Sequence, residues 1–295
     1  MSRYYSSVSG RVFDAANYVV LVVLCVLMLY PFWYVLVASL SSPYVVAVAR
    51  GSLLWPKDWT VAAYKRVFEN PIIGIAYFNT IFYVVVGTAL NILLTSLAAY
   101  ALSRRHLWGR LIVMRMIVFT MFFSGGLIPL YLLVKAMGML NTRWPLILTN
   151  AIMTFNFIIM RTGFAQMPDS LEESAKLDGC NDFVILFRIY FPLAMPVIAV
   201  MLLYYGVYHW NSWFWAMVYL RDRQLYPLQL ILREILIANN MSSMIASSDL
   251  GKDEEMIAVT IQYATIIIAV LPITVLYPFL QRYFVKGMLL GSIKE

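Results

Sequence analysis

Six stretches of roughly twenty or more predominantly apolar residues run through this chain, and a soluble fold of its size has no interior large enough to hide them. A helix crossing about 30 Å of hydrocarbon needs such a length, because every backbone polar group must be satisfied within the segment itself. The runs fall at Asn17–Leu40, Ala76–Leu102, Leu111–Ala136, Trp144–Ala165, Met195–Leu220 and Met256–Leu280. With 62% hydrophobic and 13% charged residues and a mean hydropathy of +0.77, the spacing predicts an all-α integral membrane protein with six transmembrane helices. Residues 1–295 read as a single transmembrane domain. No small-residue cleavage pattern follows the first run, so it is expected to be a retained helix and not a removable signal.

An even number of spans puts both termini on one side. The short connection Ser103–Arg110, carrying Arg104, Arg105 and Arg110, marks that side as cytoplasmic by the positive-inside rule. Basic caps at membrane interfaces account for the net charge of +7, and no nucleic-acid partner is implied. Cys25 and Cys180 fall on opposite sides of this topology and cannot pair. His106 and His209 are lone residues without metal-ligand spacing, read as loop or interfacial side chains. No catalytic constellation and no metal site emerge.

Three polar segments remain as places for partners. The outer segment at about 41–75 holds Trp55 and Trp59 and a helical stretch Val61–Phe68, a surface element anchored by tryptophans. The outer segment at about 221–255 contains the helical stretch Ile231–Ile237 and a small polar tip, Asn239-Asn240-Met241-Ser242-Ser243. The third, at about 166–192 on the inner side, reads as a helical hairpin. Asp169 is expected to cap its first helix, with Glu172 and Glu173 in the opening turn where the dipole favours acids. Gly179 ends that helix in the left-handed region, Asn181 or Asp182 caps the next, and Pro192 and Pro196 lead into the fifth span.

The hairpin carries Glu173-Ser174-Ala175, three residues, Gly179, nine residues, then Ile189 and Pro192. In this pattern it resembles the cytoplasmic loop of the permease subunits of bacterial ATP-binding-cassette importers. Ser174 stands where the family has alanine, and Phe191 where it has leucine. Ile128-Pro129-Leu130-Tyr131, Gly138-Met139-Leu140-Asn141-Thr142, Trp210-Asn211-Ser212-Trp213, Tyr226-Pro227-Leu228 and Gly287-Met288-Leu289-Leu290-Gly291 extend the likeness to the carbohydrate-uptake, maltose G-type members. Phe123–Pro129 and Tyr277–Gly287 look most like the polysaccharide and oligosaccharide branch, which includes alginate importers.

The resemblance implies the type I importer (MetI-like) permease fold in a bacterial inner membrane. It also implies a homologous permease partner, two ATP-binding-cassette ATPase subunits that bind the ATP and Mg, and an extracytoplasmic solute-binding protein. This chain itself has no phosphate-binding loop and no cofactor; lipid is its other contact. Glu172, Glu173, Ser174, Ala175, Leu177, Asp178, Gly179, Ile189 and Pro192 are the expected ATPase-coupling residues, with Leu171, Ala175 and Leu177 packing on the ATPase and Glu173 accepting hydrogen bonds. By the resemblance, 239–243 reaches the binding protein.

Ser124, Gly125 and Gly126 interrupt the third span and, with Asn156, Asn211 and Trp213, are candidates for the sugar path. Asn79, Asn91, Asn150 and Asn156 should face the bundle interior, where they meet sugar hydroxyls or bond across helices. The rival reading is an ion-coupled secondary transporter or channel, which normally places ionisable groups in mid-span; these spans are nearly free of them.

Overall fold

The computed structural model describes residues 8–49, 51–245 and 252–292, and side chains over 10–49, 51–237, 256–276 and 278. Secondary structure among the described residues is helical throughout. The chain divides into two units, one formed by residues 1–70 and 235–270 and the other by 71–234 and 271–295.

In the first unit, α1 (Val8–Ser39) is apolar from Tyr18 onward, and the window that could cross a membrane buries none of its residues within this chain. The following segment folds into α2 (Pro43–Ala49) and α3 (Ala62–Glu69). It is held by Trp33 Nε1 donating to the Leu54 carbonyl at 2.8 Å, an edge-on Trp33–Trp55 contact and a 2.7 Å bond between the Ser39 and Tyr64 hydroxyls. Trp55 and Trp59 stay largely exposed, as membrane-surface anchors do.

The spine of the second unit is α4 (Pro71–Ser103), about 50 Å long at 1.5 Å per residue and so longer than the hydrocarbon layer. Its pattern is the reverse of a soluble helix. Asn79, Thr80, Thr88, Asn91, Thr95 and Ser96 are buried, while Phe78, Ile81, Val85 and Leu93 face outward. In lipid there is no hydrophobic gain from helix association, so small and polar groups that allow close approach and interhelical hydrogen bonds make the contact face. Against it pack α8 (Thr154–Ala165) and α12 (Met195–Trp210).

Three of the expected continuous spans are broken. The third consists of α5 (Arg110–Phe122) and α6 (Leu127–Ala136), bent by 114° where Gly126 takes φ +81°. The fourth splits into α7 (Trp144–Leu148) and α8 around Thr149–Met153. The fifth ends at Trp210, and α13 (Phe214–Tyr219) is a separate helix. Three helices are individually long and apolar enough to cross a membrane, or five if each sharply bent pair is one span.

Long-range side chains hold the break between α7 and α8 and the connection that follows α13. Asn91 donates to the carbonyls of Asn150 (2.9 Å) and Ala151 (2.8 Å), and the Met153 backbone N–H reaches the Tyr205 hydroxyl. Asn79 similarly donates to the carbonyls of Gln224 and Tyr226, Tyr83 to that of Leu225, and the Thr80 hydroxyl accepts from Leu228 N–H. These side chains satisfy backbone groups that an apolar setting would otherwise leave without partners.

Candidate functional site

The inner hairpin begins with α9 (Asp169–Leu177). The expected capping role of Asp169 is corrected: Pro168 occupies the cap position, and Asp169 lies inside the first turn, beside Glu172, where both complement the helix dipole. At the other end Gly179 takes φ +79°, its N–H donating to the Lys176 carbonyl and that of Cys180 to the Ala175 carbonyl. This pair of bonds is the Schellman closure, which places a left-handed residue after the helix. Asn181 then caps α10 (Asp182–Ile185), its side chain accepting from Val184 N–H at 2.9 Å. A π-helical turn, Leu186–Tyr190, and α11 (Phe191–Leu193), with Pro192 in its first turn, lead through an 87° bend into α12.

What fastens this hairpin is Arg104, one residue past the end of α4 and buried. Its guanidinium donates to Glu172 Oε2 (2.6 Å), the Tyr190 hydroxyl (2.5 Å), the Phe164 carbonyl (3.2 Å) and the Ser103 hydroxyl (3.0 Å). It also lies over the Tyr190 ring, 4.5 Å from the centroid. One cation thereby joins the ends of α4 and α8 to α9 and the π-helical turn. Glu172 takes a second bond from Lys176 at 2.5 Å. Burial opposes the charge on both groups. Bonds from Lys176 and Arg104 nevertheless hold the Glu172 carboxyl below its ordinary pKa, and the bond to Glu172 holds Arg104 above its own. Both are ionised at neutral pH. Around the clamp, Tyr100, Phe164, Ala175, Ile185, Leu186 and Tyr190 form one apolar core.

The hairpin's faces are therefore sorted. Glu172 and Ala175, expected to meet a partner, point inward and are used within the chain, because Glu172 has a buried cation to satisfy and Ala175 packs in the core. Leu171, Glu173, Ser174, Leu177, Asp178 and Gly179 are exposed, Leu177 at 89%, and Phe183 adds a second exposed apolar group. Ile189 is half-buried and Pro192 exposed. Nothing in the spacing of Arg104 and Arg105 told them apart. Arg105 is exposed, and reaches Asp169 only at 4.0 Å.

The path candidates do not form one site. Ser124, Gly125 and Gly126 are exposed at the α5–α6 bend, Asn156 is buried on α8, and Asn211 ends α12. Trp213 lies under the Arg233 guanidinium at 4.8 Å. Among the described residues no hydrogen bond or ring contact joins these groups. His209 is not interfacial: it is buried, its Nε2 is 2.7 Å from Asn91 Oδ1, and its ring closes on Gly87, where any Cβ would lie 2.5 Å from Nε2. Asn79 and Asn91 bond across helices to backbone. The segment 239–243 is not a loop tip, because α14 (Leu228–Ile245) carries it as helix; the side chains of Asn239, Asn240, Met241, Ser242 and Ser243 lie outside the described residues.

A family model described as "Binding-protein-dependent transport system inner membrane component" matches residues 91–290. Protein LplC of Bacillus subtilis (strain 168) is 41% identical over 290 residues, covering 98% of this chain and 97% of that protein. The polygalacturonan/rhamnogalacturonan transport system permease protein YtcP of the same organism is 42% identical, covering 97% and 99%. Among solved structures, a chain from a bacterial ABC transporter involved in the import of the acidic polysaccharide alginate superposes with a TM-score of 0.86 at 36% identity, over 96% of this chain and 100% of that one. The match spans the hairpin, its clamp residue Arg104 and the broken helices behind them, and on it this multi-pass chain belongs to the family of binding-protein-dependent transport system inner membrane components.

Proposed function

We propose that this chain is one of two permease subunits of an ATP-driven importer that takes up an oligosaccharide rich in acidic sugars, delivered by a solute-binding protein. Its six crossings, with both termini in the cytoplasm, are the three long helices, the two bent pairs and the α7–α8 segment. The observation that carries the reading is the hairpin, whose Glu172 side is locked to α4 and α8 by Arg104 while Glu173, Leu177 and Phe183 stand free. A locked element with a free apolar and acidic face passes displacement from a docked ATPase to the spine helix. ATP drives the change only as far as its differential affinity for two states of the assembly allows.

Two ATPase subunits and a second, homologous permease complete the assembly; ATP and Mg belong to the ATPases. Membership in the family removes the ion-coupled alternative. YtcP and the alginate importer support the acidic-sugar class, and Arg233, seated over the Trp213 ring, supplies a cation that suits a uronate.

Reconstitution with its partner subunits in vesicles tests this. Uptake of labelled oligogalacturonate or alginate oligomers is expected only with ATP and binding protein, and neutral maltooligosaccharides are not expected to compete. ATP-independent uptake driven by an ion gradient would refute the reading, and competition by neutral sugars would refute the substrate class.

A further inference from the structure

One feature of the second unit serves neither the clamp nor the broken helices. Between the Arg104–Arg110 turn and the start of α5 lies an open hollow of about 430 Å³, lined by Arg105, Arg110 and Arg115 with Leu107, Leu111 and Ile112. A second hollow of about 360 Å³ adjoins it, sharing Leu111 and Arg115, and continues along Met114, Val118 and Phe119. These positions recur at helical spacing and form one stripe of α5, none of whose residues is buried by this chain.

Three arginines therefore line one end of an apolar groove. Among the described residues Arg110 and Arg115 make no ion pair, and the only acid near Arg105 is Asp169, at 4.0 Å with both groups exposed. Like charges gathered without a counter-ion repel one another, and an anion placed among them relieves that cost. Trp108, 95% exposed in the same turn, marks the headgroup level of the bilayer.

We propose that this site holds an anionic phospholipid. Its phosphodiester lies among Arg105, Arg110 and Arg115, and one acyl chain runs along Leu111, Met114, Val118 and Phe119. Charge complementarity selects the headgroup, and the continuity of the two hollows selects a molecule with one charged end and a long apolar tail. Arginine presents donors in a planar fork that matches phosphate oxygens.

The assembled importer, with its ATPase and permease partners, is placed in nanodiscs containing phosphatidylglycerol or phosphatidylcholine of the same chains, then washed with mild detergent. Native mass spectrometry counts the lipids retained. The wild-type assembly is expected to keep phosphatidylglycerol and lose phosphatidylcholine. Each of R105Q, R110Q and R115Q is expected to lower retention about five-fold, the equivalent of roughly 1 kcal/mol per basic residue near a membrane surface. Val118→Trp, which fills the groove and alters no charge, is expected to reduce it as well.

Equal retention of the two lipids by the wild type would overturn the proposal even if no variant folds. Displacement of phosphatidylglycerol by inorganic phosphate would show a site for phosphate alone, and loss of the second permease from the arginine variants with lipid still retained would show a protein contact. Either outcome sinks the lipid assignment while leaving the importer reading untouched.

Discussion

Replacing Glu172 by leucine should damage the protein more than any other single change on the inner hairpin. The variant leaves the buried Arg104 guanidinium with only neutral partners: the Tyr190 and Ser103 hydroxyls and the Phe164 carbonyl. Stranding one member of a buried ion pair costs about 3–5 kcal/mol. The converse change, Arg104→Met, is milder, because the Glu172 carboxylate keeps Lys176 at 2.5 Å. The Lys176 side chain is 42% exposed, so water screens that remaining pair; a cost of roughly 1–3 kcal/mol follows for a buried acceptor left partly satisfied. Removing both charges together strands neither, and the double variant should recover most of the loss. At roughly 2–4 °C per kcal/mol for a chain of this size, Glu172→Leu should lower the unfolding midpoint of the purified assembly by roughly 6–20 °C. Differential scanning fluorimetry of the four corners of this cycle, with exposed Glu173→Leu as a control, measures it. Costs that simply add, or a Glu172→Leu shift no larger than that of Glu173→Leu, would refute the clamp.

Gly179→Val should cost about 1–2 kcal/mol from the backbone alone, because φ is +79° and a Cβ there would touch nothing within 4 Å; Gly179→Asn should be largely tolerated, and equal uptake and stability for the two would contradict the left-handed requirement. Asn91→Leu leaves the carbonyls of Asn150 and Ala151 without their donor and His209 Nε2 without its partner. At about 1–3 kcal/mol for each buried unsatisfied group, it should prevent recovery of folded protein, as should Gly87→Ala by forcing His209 aside; normal yields would be the contrary result. Acid dependence has a defined sign. Because Glu172 titrates below its ordinary value near 4.5 in the folded chain, its contribution is complete above that value and is lost as pH falls through the lower folded pKa. Wild type but not the Arg104→Met, Glu172→Leu double variant should lose this increment of thermal stability in that acid range.

The hairpin shows how far local chemistry reaches. Gly179, Asn181 and Pro192 behave as their residue types require, since a left-handed turn, a side-chain cap and a first-turn proline depend on a few neighbouring residues. The inward turn of Glu172 and Ala175 was not legible, because the acid that faces inward is chosen by a cation 68 residues away. Arg104 and Arg105 are adjacent and chemically identical, yet one is buried and the other exposed. His209 looked incidental because its partner, Asn91, lies 118 residues away.

Sequence by itself determined that this chain is a helical membrane protein with a hinged inner hairpin. Apolar length and turn chemistry are properties of contiguous residues, and lipid permits helices whose backbone groups are satisfied within the segment. Tertiary structure decided how the α7–α8 break is tolerated, since the freed carbonyls of Asn150 and Ala151 are met by Asn91, a side chain 59 and 60 residues away. It also decided which face of the hairpin stays free, because a buried charge must be met by another, and only the folded chain brings Arg104 to Glu172.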